Sequence, residues 1–252
     1  RGRRHRSQSG ARAALTCPSQ ATPPSFRPRI LMMMKRRDFS ALCSLAAVGL
    51  PGLALAQGGP IEGKQFQRLA QPLTVTPGKI EVVEFFWYGC PHCFAFEPVV
   101  HAWAKQLPAD VSFRRVHVGF RANIKLHQRL FFALEVMGKE EELLPRVFSA
   151  FHVERLNLDD EKSILDLAAR MGLDMAKFTA AFNSFGVQTK SAQASKLSEA
   201  YRIDGVPALG IGGKFLTSPG MAGIQGQTEA QHGQQAVAVA DYLIKLIRNN
   251  KA

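Results

Sequence analysis

Cysteine is scarce in this chain: four occur in 252 residues, at positions 17, 43, 90 and 93. So few exclude the dense disulfide scaffold on which small exported domains rely. A long apolar run is also missing. The most apolar stretch, Ala41 to Leu53, is broken by Gly49, Pro51 and Gly52, and it falls short of the roughly 20 residues that a membrane-spanning helix needs. Acidic residues are absent from the first 31 positions, which hold seven arginines together with Pro18, Pro23, Pro24 and Pro28. Such a segment cannot bury enough apolar surface to offset its ordering entropy. Residues 1–31 therefore read as upstream sequence before a start at Met32, Met33 or Met34, although an organelle transit peptide has the same composition.

Residues 32–56 carry the three parts of a secretory signal peptide. Lys35-Arg36-Arg37 is a basic n-region, Ala41 to Leu53 an apolar core, and Ala54-Leu55-Ala56 a small-residue site that predicts cleavage after Ala56. Arg36-Arg37-Asp38-Phe39 also resembles a twin-arginine export signal. Export changes how the totals read. Of the net charge of +12, the first 56 residues contribute ten basic residues and one acid, leaving 22 basic and 19 acidic residues, or +3, beyond them. The basicity thus belongs to the leader, and nothing argues for nucleic-acid binding. Cys17 and Cys43 leave too, so the mature chain is expected to hold only Cys90 and Cys93.

The 196 residues after position 56 suffice for one domain with an insertion. Ile80 to Phe86 reads as a buried strand, apolar on both faces except at Glu81 and Glu84. Pro91 to Leu107 reads as a helix, with Pro91 suited to its first position and Pro98 predicting a kink near its middle. Val111 to Val118 reads as a second strand, parallel to the first by the crossover rule. Helical periodicity then covers Ile124 to Met137, Leu143 to Phe151, Ile164 to Met171 and Phe178 to Phe185. Gly138, Pro145, Gly172 and Gly186 punctuate these segments, and Asn157 and Asp174 are the expected caps. A longer helix from Val187 to Tyr201 leads to Pro207. Ala208 to Ile211 and Lys214 to Leu216 form a hairpin through Gly212-Gly213, and Ala236 to Ile247 is a final helix. The order is β-α-β, a helical insert, then α-β-β-α: an α/β fold.

Two cysteines three apart hold half a zinc site or exchange a disulfide. The chain beyond residue 56 has no second cysteine pair and no H-x3–5-H spacing, so the place of Cys90-Pro91-His92-Cys93 at a strand-to-helix junction favours redox chemistry. Helical side chains at i and i+3 lie about 5–6 Å apart at Cβ, and a disulfide wants roughly 3.5–4.5 Å. The bond fits best when Cys90 is the non-helical cap and Cys93 sits in the first turn. Cys90 is then the exposed sulfur, facing unpaired N–H groups and the positive end of the helix dipole. His92 can add a hydrogen bond or a charge. Stabilising a thiolate stabilises the reduced form and makes the disulfide a stronger oxidant, by about 30 mV for each 1.4 kcal/mol. Glu84, in a Val/Phe strand, reads as a buried carboxylate that must be neutral or paired. The aromatics from Phe85 to Phe96 read as core, and His101, His117, His127, His152 and His232 fall in no motif.

Glu84-Phe85-Phe86 through Cys90-Pro91-His92-Cys93, followed by Phe96-Glu97, resembles the DsbA family of thiol:disulfide interchange proteins of the bacterial periplasm. Gly205-Val206-Pro207-Ala208 before Gly212-Gly213-Lys214-Phe215 is similar to that family's second signature. The resemblance implies a thioredoxin fold (57–121 and 187–252) interrupted by an all-helical insertion (122–186). It implies Cys90 as the attacked sulfur, Cys93 as its buried partner and Pro207 as a cis-proline. Val206 would offer backbone hydrogen bonds to an extended substrate, and Glu84 would be the buried acid beneath the cysteines, with Glu97 and a lysine, Lys125, nearby. The activity implied is that of a periplasmic, monomeric dithiol oxidase needing no cofactor or metal beyond its own disulfide. Its partners would be reduced exported proteins and a quinone-linked membrane reoxidase of the DsbB type. The alternatives are a disulfide isomerase or reductase, and a peptide-binding chaperone module with secondary redox activity.

Overall fold

The computed structural model describes residues 58–75 and 77–250; the expected signal peptide and its cleavage site lie outside them. A mixed sheet runs in the order β1 (Gln67–Arg68), β5 (Phe215–Thr217), β4 (Ala208–Ile211), β2 (Ile80–Phe86), β3 (Val111–His117). β2 sits inside the sheet because both its faces are apolar: Val82, Val83, Phe85 and Phe86 are each 1% exposed or less. Val82 belongs to a core with Phe96 and Val100 of α1 (Pro91–Ala104) and with Ala236, Val239 and Leu243 of α8 (Glu229–Arg248). Val83, Phe85 and Phe86 belong to a larger core shared with the helical insertion. β3 pairs with β2 in parallel, from Ile80↔Val111 to Phe86↔His117, with α1 as the crossover. β4 and β5 form the expected antiparallel hairpin, turning at Gly212 and Gly213 with φ of +59° and +66°, where a side chain would be strained.

Between β3 and β4 lie α2 (Ala122–Val136), α3 (Glu140–His152), α4 (Glu161–Arg170), α5 (Met175–Phe182) and α6 (Phe185–Ala200). Gly138 and Gly172 follow α2 and α4 at φ of +64° and +79°, and Asp174 caps α5 by accepting from Lys177 N. Three sequence expectations need correction. Asn157 caps nothing: Leu158 is first buried at 2% exposure, and Asp160 then caps α4, 2.7 Å from Ser163 N. Gly186 does not punctuate but lies inside α6, which starts at the Ser184 cap. α1 continues through the exposed Pro98 and ends at Ala104 rather than Leu107. Two short elements carried no sequence signal: β1, held by pairing with β5, and α7 (Pro219–Ala222).

Candidate active site

Cys90 is the N-cap of α1, extended at φ −86° and ψ 116°, with Pro91 opening the helix. Pro91 suits that place because its missing N–H would have no partner there. The Cys90 Sγ accepts from Cys93 N at 3.4 Å, and its thiol donates to Val206 O at 3.3 Å. Both cysteines are free thiols. The expectation of an exposed Cys90 is corrected: it is buried, at 6% exposure against 1% for Cys93, because the loop carrying Val206 lies against it. The Cys90 thiol is drawn down to about 6, chiefly by the hydrogen bond from the Cys93 side chain. Burial opposes this, and the backbone N–H groups of Cys93 and His92 and the charge of His92 add to it. Burial pushes the Cys93 thiol well up, and its contact with Cys90 pushes it further. One sulfur is set to ionise and the other to stay protonated.

The His92 ring pairs with Glu229 at the start of α8, Nδ1 to Oε1 at 3.2 Å, while its backbone and charge serve Cys90. The Val206–Pro207 peptide bond is cis. Val206 and Pro207 line a groove of 370 Å3 together with His92, Met221, Glu229 and His232. This groove brings the two sequence signatures, more than 100 residues apart, to one face.

Glu84 is 2% exposed and stands opposite Arg115 in the parallel register. Neighbours on parallel strands share a face, so their side chains meet: Arg115 Nε donates to Glu84 Oε2 at 3.0 Å. The remaining donors of the same guanidinium reach Glu97 at 3.1 Å and Glu141 of α3 at 2.5 Å. Burial raises the Glu84 carboxyl, against the pull of Arg115; burial and the charge of Glu84 raise that of Glu97. Lys125 is not the partner. It is an exposed residue of α2, and strand register puts Arg115 in the place assigned to it. Arg115 was within reach of the sequence, since aligning the starts of two seven-residue parallel strands pairs position 84 with 115.

Three histidines without a motif converge on the turn before Cys90. His117 Nδ1 donates to Val118 O at 2.8 Å, leaving Nε2 to accept from Tyr88 N at 3.2 Å; burial holds this ring neutral, at about 3. His127 Nδ1 accepts from the Trp87 indole at 2.9 Å while its Nε2 donates to Leu158 O. His152 Nε2 donates to Tyr88 O at 2.8 Å. Their sequence separations of 29 to 64 residues left no local signal. Among the described residues no group of three His, Cys, Asp or Glu side chains is placed to hold a metal ion.

A family model described as a DSBA-like thioredoxin domain matches residues 111–230. The thiol:disulfide interchange protein DsbA of Bordetella pertussis is 43% identical over 191 residues, covering 75% of this chain and 91% of its own. That of Burkholderia cepacia is 39% identical over 222 residues, covering 86% of this chain and all of its own. The crystal structure of Pseudomonas aeruginosa DsbA aligns with a TM-score of 0.70 at 39% identity, over 76% of this chain and 96% of that one. The fold is accordingly thioredoxin-like with a helical insertion. Relatives matched over nine-tenths or more of their length at about 40% identity make this chain a member of the DsbA family of thiol:disulfide oxidoreductases.

Proposed function

We propose that Cys90 is the attacked sulfur and Cys93 the leaving one in a dithiol oxidase of the bacterial periplasm, exported by the signal at residues 32–56 and cleaved after Ala56. The observation that carries this reading is the opposed tuning of the two thiols, Cys90 drawn down to about 6 and Cys93 pushed well up. A substrate thiolate attacks Sγ of Cys90 in the disulfide form. The Cys90–Cys93 bond breaks, its electron pair goes to Cys93, and that sulfur takes a proton; Glu84, raised by burial, is the proposed donor. A second substrate thiolate then attacks the substrate sulfur of the mixed disulfide, and Cys90 leaves as a thiolate. Two substrate thiols lose two electrons and two protons, and the enzyme disulfide becomes the dithiol.

Lowering a thiol from 9.0 to about 6 favours the thiolate by about 4 kcal/mol, or about 90 mV towards the oxidant. A DsbA is itself the usual example of such a thiol and of an oxidising couple near about −120 mV, so that magnitude belongs to the family. Val206 would hydrogen-bond an extended segment of a reduced exported protein beside Pro207. A quinone-linked membrane partner of the DsbB type would take the two electrons back, and no cofactor beyond the disulfide is invoked. Equilibration with a glutathione buffer tests the direction. A potential well above thioredoxin's about −270 mV is expected, and a value near thioredoxin's overturns the oxidase reading. Cys90→Ser should abolish oxidation, whereas a peptide-binding module would keep its function. N-terminal sequencing of the exported product should begin at Gln57.

A further inference from the structure

Trp87, Tyr88 and Gly89 join β2 to the cap of α1, and Cys90 N closes the turn on Trp87 O at 3.0 Å. The turn is tight: a Cβ on Gly89 would lie 2.4 Å from the Trp87 ring. Two of the groups that fix it come from the helical insertion. His127 of α2 holds the Trp87 indole at 2.9 Å. His152, the last residue of α3, holds Tyr88 O at 2.8 Å and also stacks on Phe94, with centroids 4.8 Å apart and planes 9° apart. His152 therefore touches the chain two residues before Cys90 and four residues after it.

We infer that His127 and His152 are positioning residues for Cys90, through which the helical insertion fixes the sulfur against the first turn of α1. The Sγ gains from the N–H groups of His92 and Cys93 only while it lies in their path, and hydrogen bonds weaken steeply as distance and angle degrade. The Sγ accepts from Cys93 N at 3.4 Å, an ordinary length for a sulfur acceptor, and a drift of the turn that lengthens or bends this bond weakens it. The insertion on this view is part of the active site, although neither histidine contacts either sulfur. The inference rests on the reading of Cys90 and Cys93 as the redox pair.

Three variants separate positioning from plain bracing. His152→Phe keeps the stack on Phe94 and removes the donor to Tyr88; His152→Gln keeps a donor and removes the stack; Trp87→Phe removes the indole that His127 holds. The readouts are the equilibrium constant with glutathione and the thiolate absorbance near 240 nm as pH is raised. His152→Phe and Trp87→Phe should each make the couple about tenfold less oxidising, which is about 30 mV, with the Cys90 titration moved to higher pH. His152→Gln should stay within about twofold of the parent protein. If both donor-removing variants match the parent in potential and titration and only melt earlier, the histidines are braces and the inference fails. A shift in His152→Gln as large as in His152→Phe overturns it as well. Should His152→Phe not fold, Trp87→Phe decides alone. A parent potential near thioredoxin's would sink the oxidase reading, yet these comparisons between variants would still stand.

Discussion

The ionisation of Cys90 should make the stability of the reduced protein depend on pH in a window that the disulfide form lacks. The folded thiol lies at about 6 against 9.0 for an ordinary one. A lowered value means that the stabilisation is complete above 9 and is lost as pH falls through about 6. From those two values the linkage relation gives almost nothing at pH 5, on the order of 1 kcal/mol at pH 7 and about 3 kcal/mol at pH 8. Cys93 stays protonated across this range, because its thiol is pushed well up, and contributes no slope. Urea unfolding of the reduced and disulfide forms at pH 5, 7 and 8 isolates the effect, since carboxylates and histidines titrate in both. The difference between the two forms should move in favour of the reduced one by about 3 kcal/mol from pH 5 to pH 8. A difference that stays flat over that interval, or a thiolate absorbance that rises only above pH 8, would refute the account of Cys90.

Arg115→Met strips three carboxylates of their cation, and breaking a buried pair of this kind costs about 3–5 kcal/mol; the loss should be smaller at pH 5 than at pH 8, because Glu84 and Glu97 become neutral more readily without it. Glu141→Gln, at a carboxylate that is 56% exposed, should cost far less in the same urea titration. Gly210→Ala places a Cβ 2.4 Å from the buried Tyr201 ring and should lower stability by about 1–3 kcal/mol through overpacking. Ser184→Ala removes the side-chain cap of α6 and should cost about 1 kcal/mol, with no change in the glutathione equilibrium.

What the sequence disclosed and what it hid follow from how each contact is specified. β2 and the start of α1 were legible because their cues are local: a strand apolar on both faces, then a proline at the first helical position. The loop at Pro207 was legible only as a family signature, since no periodicity marks a cis bond. Arg115 was missed, although aligning the two strands would have found it, because register between strands, and not proximity in the chain, pairs it with Glu84. Lys125 answered only to the family's expectation of a nearby lysine, and its exposed place on α2 gives Glu84 no partner. In Asn157-Leu158-Asp159-Asp160 every polar residue is a competent cap, and the burial of Leu158 decides among them. His117, His127 and His152 act through tertiary contacts alone. Nothing in their neighbours along the chain distinguishes them from His232.

The residue that caps α1 is also the residue proposed to react. The Cys90 sulfur accepts from Cys93 N and completes the helix end, and a charged sulfur is the stronger acceptor. In the enzyme disulfide and in the mixed disulfide alike the same sulfur is neutral and a poorer acceptor, so part of a cap of the order of 1 kcal/mol is missing from both. Letting the substrate go restores it. Helix termination thus adds a small, built-in bias towards product release, gained as Cys90 leaves as a thiolate and given up when the disulfide is remade.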